Sequence, residues 1–508
     1  MRSLLLVLLM AAAAFGQQPT VIGPDGFNID RPPEAVQRQL GVKRPILSSA
    51  VSNPQEQTAK ALKHLQLLGQ DPEVARGERA LTGIRFFTLY AVPPEYRWDC
   101  LNALNLTLNS LSFNPDTIPA QPVPDSEGLL YWVHLDDYLW TDEAWEKVSI
   151  EDPFFREPWI DHDTAAALRL TAGNAILRAD WFINRVSDTN ISNSYYDLLF
   201  ASVAIERKEG DQLVTVKGQP PADLGELHRL LHVDIEAASK FGSDRGVLVP
   251  SGTSEVSYHN RILWRVPISS GYYWQTFDVK EAVGKKNFVE FRFPEEWDGS
   301  EVIYSLPNGL QGYLLADSNG KRVEKGPADL VRDTITPLSK HSPEVRTWQS
   351  CVACHTAGLR PSSDNLSESL QKGLELYEKN KKNAVRTRLF YRGDQELYFE
   401  DDQKKYAVAV NRACGVEPEE ASRNYITSVT RYRDLVTLDQ AALECGVSRE
   451  QLKAAMSFSA KGLIGQMATQ ERPIDRTTWD KELFTEAMLL ILEWRKSGLV
   501  EHKKQAVE

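Results

Sequence analysis

The chain has 508 residues, 42% hydrophobic and 25% charged, which is the composition of an ordinary globular protein. Its 70 acidic residues outweigh 58 basic ones, for a net charge of −12. That balance counts against nucleic acid or an anionic membrane as partner, because both reward basic surfaces. A chain this long exceeds what one hydrophobic core usually serves, so two or three domains are expected.

Residues 1–16, MRSLLLVLLMAAAAFG, set one basic residue before an apolar run that ends in small residues. This is the pattern of a secretory signal peptide, with Ala14-Phe15-Gly16 at the cleavage site. No later stretch is long and apolar enough to span a membrane. The sequence therefore predicts an exported protein, periplasmic or extracellular, with no integral membrane segment once the signal is removed.

Residues 17–50 are polar and proline-rich and read as a loosely ordered arm. Asn53-Pro54 opens a helix over 54–68, and further helices are expected over 72–90 and 94–113, the last carrying Cys100 as a buried free thiol. From Leu129 the texture changes. LLYWVHL reads as a strand, DDYLWTDEAWEKV as a helix, and 165–185 as one helix or two. A helix over 222–240 carries His228 and His232 four residues apart. Without the glutamate of an H-E-x-x-H pair, a solvated face is the better reading. Together 51–240 form an N-terminal α/β region.

Residues 241–335 read as a β-rich domain. NRILWRVP, GYYWQTFDV and KNFVEFRFP are short aromatic and β-branched runs separated by Gly, Pro and charge. EVIYSL, LQGYLLAD and KRVE then follow as a meander, turned at Pro307-Asn308-Gly309 and Ser318-Asn319-Gly320, where φ > 0 is cheap.

Cys351-Val352-Ala353-Cys354-His355 is the attachment pattern for c-type haem. Positions three and four apart share a helix face. Cys351 and Cys354 then reach the two vinyl groups on one porphyrin edge, and His355 presents its imidazole to the iron. A structural zinc site wants a second ligand pair at finger spacing, and a thioredoxin-like pair wants a βαβ setting. Neither accompanies the motif. The expected cofactor is one covalently bound haem c, held by Cys351, Cys354 and His355, with His355 on the metal.

The sixth iron ligand separates an electron carrier from an enzyme, since a Met ligand closes the iron and an open site admits oxygen or peroxide. Met467, near a helix end before Pro473, is the first candidate; Met456, Met488, His341 and His134 follow, or no side chain at all. Beyond the motif, helices are expected over 366–380, 403–413, 438–446, 449–466 and 480–496, making 336–508 a helical haem domain. Cys414 and Cys445, each followed by Gly, form a candidate disulfide in an oxidising compartment, with two buried free thiols as the alternative. No G-x-S-x-G, G-x-G-x-x-G, P-loop or EF-hand pattern occurs, and Asp136-Asp137 and Asp161-His162-Asp163 read as turn and cap residues.

Several stretches, in this order, resemble one family: NLTLNSLSF (105–113), ILRADWF (176–182), YYDLLF (195–200), HNRILWR (259–265), SLPNGLQGYLLAD (305–317) and SCVACHTAGL (350–359). They resemble secreted bacterial cytochrome c domain-containing proteins of planctomycete-like and acidobacterial-like lineages. Those proteins carry a single Cys-x-x-Cys-His after a Leu-Pro-Asn-Gly-Leu-Gln-Gly-Tyr hairpin. The resemblance covers most of 100–360 and implies haem and export without specifying a reaction. Such proteins often have Met or Ser inside the motif, where this chain has Val352-Ala353 between the ligands.

The combined expectation is a multidomain α+β protein with a β-rich central domain and a mainly helical C-terminal cytochrome c-like haem domain. Its expected activity is one-electron transfer with a redox partner protein. The alternatives are a haem oxidoreductase, oxygenase or peroxidase-like, with an open iron, and a haem-based sensor or binding module. Hydrolase and transferase chemistry have no support in the motifs.

Overall fold

The computed structural model describes residues 52–70, 81–155, 176–187, 194–249, 257, 259–281, 286, 296–327, 329–334, 336–340, 343–360, 389–459 and 461–505. The expected signal peptide (1–16), the expected 17–50 arm, the expected 366–380 helix, Asp161-His162-Asp163, His341 and all but Lys286 of KNFVEFRFP lie outside them. Within them the fold is mixed α+β, as expected.

The first layer begins with α1 (Pro54–Gln70), β1 (Ile84–Thr88), α2 (Arg97–Ser110), β2 (Gln121–Pro122) and β3 (Leu130–His134). It continues through α3 (Asp142–Ser149), β4 (Ile176–Arg178), α4 (Ala179–Ser187) and α5 (Ser194–Leu199). The sheet runs β2-β3-β1-β4, with β3 antiparallel and β4 parallel to β1. Strand β1 stands where a helix over 72–90 was expected. All five residues of IRFFT are buried, and a strand packed on both faces shows no alternation to betray it.

Strands β5 (Ala204–Glu209) and β6 (Gln212–Lys217) form a mostly exposed hairpin that the sequence reading did not anticipate. The helix expected over 222–240 is two, α6 (Leu224–Leu230) and α7 (Ile235–Phe241), each capped by an aspartate, Asp223 or Asp234. His232 breaks them at φ 52°. His228 is half-buried and its Nε2 lies 2.8 Å from the Tyr273 hydroxyl, so its face is not the solvated one expected.

The second layer is a meander of β7 (Arg245–Val249), β8 (Asn260–Ile268), β9 (Gly271–Val279), β10 (Gly299–Ser305), β11 (Gln311–Asp317) and β12 (Arg322–Val323), in which β8 to β12 stand where β runs were expected and β7 is an added strand. Neighbours pair antiparallel in the order β12-β11-β10-β9-β8-β7. In both Asn-Gly turns the glycine takes the positive φ, 85° at Gly309 and 76° at Gly320. Asn308 instead caps the turn, accepting from Leu310 N–H at 3.0 Å, and donates to the Asn109 carbonyl at the end of α2.

The remainder is helical: α8 (Gln349–His355), α9 (Gln395–Cys414), α10 (Pro418–Arg433), α11 (Leu438–Cys445), α12 (Arg449–Ser459), α13 (Gly462–Gln470), the short α14 (Arg476–Thr478) and α15 (Phe484–Gln505). Helix α10, started by Pro418 with Glu419 and Glu420 in its first turn, was not anticipated. It lies against α2, α4 and α8. One continuous core runs from Ala61 to Ile491 and draws side chains from 51–240, 241–335 and 336–508 alike.

A buried ion cluster ties the ends of the chain together. Glu444 of α11 is fully buried, with Arg178 of β4 at 2.8 Å and Arg476 at 2.9 Å. Trp479 Nε1 also donates to it at 2.8 Å. Burial alone would raise the Glu444 carboxyl; Arg178 and Arg476 overcome it and hold the group well below its usual range. Removing one partner of such a cluster costs about 3–5 kcal/mol. Glu444→Ala is therefore expected to lose that much in denaturant unfolding, whereas Lys404→Ala, in an exposed i,i+4 pair with Glu400, loses less than about 0.5 kcal/mol. Because the folded carboxyl is depressed, its contribution is complete above the ordinary glutamate range and fades as pH falls toward the depressed value. The acid side of the wild-type stability profile should thus be steeper than that of Glu444→Ala.

Candidate functional site

Helix α8 is seven residues long and is built by its alternation of faces. Val352 and Ala353 are buried in the core, while Cys351, Cys354 and His355 are half-buried and line a cavity of about 510 Å³. This is the shared face that the i, i+3, i+4 spacing predicts.

The helix starts under strain. Trp348, fully buried, holds φ 69° and ψ −60°, and Gln349 N–H donates to the Thr347 carbonyl two residues back at 3.0 Å. This is a γ-turn, a conformation that persists only where its surroundings impose it. The surroundings here are aromatic: Trp348 packs on Tyr195 and on Tyr425 of α10, with ring centroids 5.9 and 5.7 Å away.

The helix ends under equal control. Gln403 of α9 donates to the Ala357 carbonyl at 2.6 Å and accepts from Leu359 N–H at 2.9 Å. Gly358 sits inside that clamp at φ 110°, and a Cβ there would fall 1.8 Å from the Gln403 amide. The Gly358 carbonyl lies 3.3 Å from His355 Nδ1. A carbonyl only accepts, so Nδ1 carries the proton and Nε2 keeps its lone pair. Burial lowers the His355 pKa, which keeps the ring neutral. Metal-binding histidines are oriented in this way.

Burial pushes the Cys351 thiol up to about 12 and raises that of Cys354 as well. No cation offsets the burial of either thiol, as one does beside a reactive redox cysteine. Among the described residues, no group of three or more His, Cys, Asp or Glu side chains is arranged to hold a metal ion by itself.

The opposite wall of the cavity is the outward face of the meander. Val249, Leu263, Trp274 and Leu315 supply apolar surface, and Trp274 stacks on Phe399 of α9 at 4.5 Å and 10°. Asp402, fully buried on α9, accepts from Arg265 at 2.8 Å twice and from Trp274 Nε1 at 2.8 Å, which fixes α9 on the sheet. Arg261 and Glu301 add charge to this wall. Arg261 Nε donates to Asp278 at 2.8 Å and Nη1 to Glu301 at 3.3 Å, while its buried Nη2 and the buried Oε1 of Glu301 have no hydrogen-bond partner. The sequence reading missed these residues. Their signal was isolated charge set into strands otherwise rich in aromatic and β-branched residues, with Arg261 in NRILWRVPI, Asp278 in GYYWQTFDV and Glu301 in GSEVIYS.

None of the described sixth-ligand candidates lines the cavity. Met456 and Met467 are fully buried in the main core and Met488 is buried beside them. They sit on three separate helices, α12, α13 and α15, whose packing against one another takes all three into the core. His134 ends β3, where its Nδ1 accepts from Asp136 N–H at 3.2 Å. Cys414 and Cys445 are free and buried, as is Cys100, and the candidate disulfide is not formed.

Family models, characterised proteins and solved structures give no match to this chain. Unfolding the protein without reductant and counting thiols should show Cys100, Cys414 and Cys445 all free. A count that leaves two of these three blocked would contradict the structure.

Proposed function

We propose that the chain is an exported monohaem c-type cytochrome that carries single electrons to or from a partner protein, akin to the secreted cytochrome c domain-containing proteins it resembles. The observation that carries this reading is the placement of Cys351, Cys354 and His355 on one face of α8, toward a cavity of about 510 Å³. Ligand pockets span roughly 300–1,000 Å³.

The residues present fit such a group. Two neutral thiols and an imidazole with a free Nε2 lone pair are the donors that thioether attachment and axial ligation need. Apolar walls suit a porphyrin, and the partnerless Nη2 of Arg261 suits a carboxylate on its edge. A haem held there supplies one-electron chemistry at its iron. The protein's part is to bind it through Cys351 and Cys354, to orient His355 through Gly358 and Gln403, and to exclude water with Trp274 and Phe399. Export accords with the signal-like 1–16 and with the absence, among the described residues, of any helix long and apolar enough to cross a membrane.

A second reading, a haem oxidoreductase or sensor with an open iron, is favoured by one observation. Among the described residues lining the cavity there is no methionine and no histidine besides His355.

Acid-acetone extraction is expected to leave the haem with the wild-type protein and to release it from the Cys351→Ser, Cys354→Ser double variant. Recovery of all haem in the solvent from wild type would overturn the covalent reading. His355→Ala should keep attachment and change the axial-ligand spectrum. Ready carbon monoxide binding by the ferrous protein would select the open-iron reading over simple electron transfer.

A further inference from the structure

Asp278, Arg261 and Glu301 form a three-membered charge cluster assembled from three adjacent strands, with Arg261 and Glu301 lining the cavity and Asp278 beside them. Asp278 of β9 stands directly across from Arg261 of β8, and Glu301 of β10 reaches the same guanidinium. Asp278 is 1% exposed and Arg261 7%. One cation is therefore shared between two carboxylates, and the cluster carries net negative charge when both are ionised. The sharing is incomplete, since Arg261 Nη2 and Glu301 Oε1 are both buried and partnerless. Thr276 adds one weak bond to the Asp278 carboxylate, at 3.5 Å.

We infer that reduction of the group bound in this cavity is coupled to uptake of one proton by Asp278. The inference rests on the haem reading of the site. An electron arriving from a one-electron donor adds negative charge beside an already negative cluster. Protonation of the Asp278 carboxylate by water-borne H⁺ forms one O–H bond and restores the cavity's charge. No other bond changes.

The balance of forces on Asp278 makes this feasible near neutrality. Burial first, then Glu301, push its carboxyl up to about 7, against the pull of Arg261. Glu301 is the least buried member, with 21% of its side chain exposed, and so opens the cluster toward solvent. The other ionisable groups among the described lining are Tyr313 of β11, Asp333, Arg360, and Cys351, Cys354 and His355 on α8.

Spectroelectrochemical titration of the holoprotein on both sides of neutrality tests the coupling, because it follows the haem bands themselves. One proton per electron lowers the midpoint potential by about 59 mV per pH unit, and this slope is expected above neutral pH and absent in Asp278→Asn. Glu301→Gln, which removes a repelling charge from a partly exposed position, should move the sloping window to lower pH. If Asp278→Asn does not fold, that displacement and direct proton uptake on photoreduction of unbuffered wild type still decide the matter. A potential independent of pH, or a slope unchanged in both variants, overturns the inference while leaving the haem reading intact. A preparation without haem bands overturns both.

Discussion

The fold depends on one buried carboxylate. Glu444 is held by Arg178 from the N-terminal sheet and Arg476 from the C-terminal helices, and its backbone carbonyl accepts from the Tyr90 hydroxyl at 2.8 Å. Arg178 is itself bound by Asp180 at 2.6 Å and lies over the Phe154 ring at 4.0 Å. Buried ions repay their desolvation only when every member is satisfied. The cluster therefore acts as a register: α11 and α14 settle where both arginines are reached, and this closes the helical segment onto α2, α4 and β1. The haem-motif helix inherits its position from this closure, because α10 carries Tyr425 against Trp348.

A second constraint acts on the meander, which is packed on both faces. Trp264, Tyr273, Phe277 and Leu314 face the main core, while Trp274, Arg261, Arg265 and Tyr313 face the cavity and α9. The cavity is thus composite. Helix α8 comes from one part of the chain, the far wall from another, and Asp402 with Gln403 on α9 pins both. An α8 helix taken alone holds the donors but has no opposing wall, which gives the large upstream region a physical role in enclosing the site.

On the proposed haem reading, that enclosure bears on the choice between carrier and enzyme. A minimal electron carrier needs only burial and two axial ligands. Here the described wall offers an arginine, two acids and aromatic rings, and the buried methionines stay in the core. Charge beside a buried redox centre tunes its potential and its proton affinity together, so such a wall suits proton-linked electron transfer as well as it suits an open iron.

The sequence by itself determined whatever depends on neighbours a few residues apart. Cys351, Cys354 and His355 fall on one face because a helix repeats every 3.6 residues. The meander was legible from its turns, since Gly309 and Gly320 adopt a backbone that other residues resist. Buried thiols at Cys100, and mixed α+β architecture, were equally local readings. Tertiary structure alone decided the rest. Strand β1 has no alternating face, so its buried run resembled a helix. The break at His232 follows from two aspartate caps that a continuous periodicity conceals. Arg261, Asp278 and Glu301 meet through strand register, and Met456, Met467 and Met488 are held away from the cavity by packing. These outcomes rest on contacts between residues tens to hundreds of positions apart, where the cost of burying charge and volume is settled by which surfaces meet.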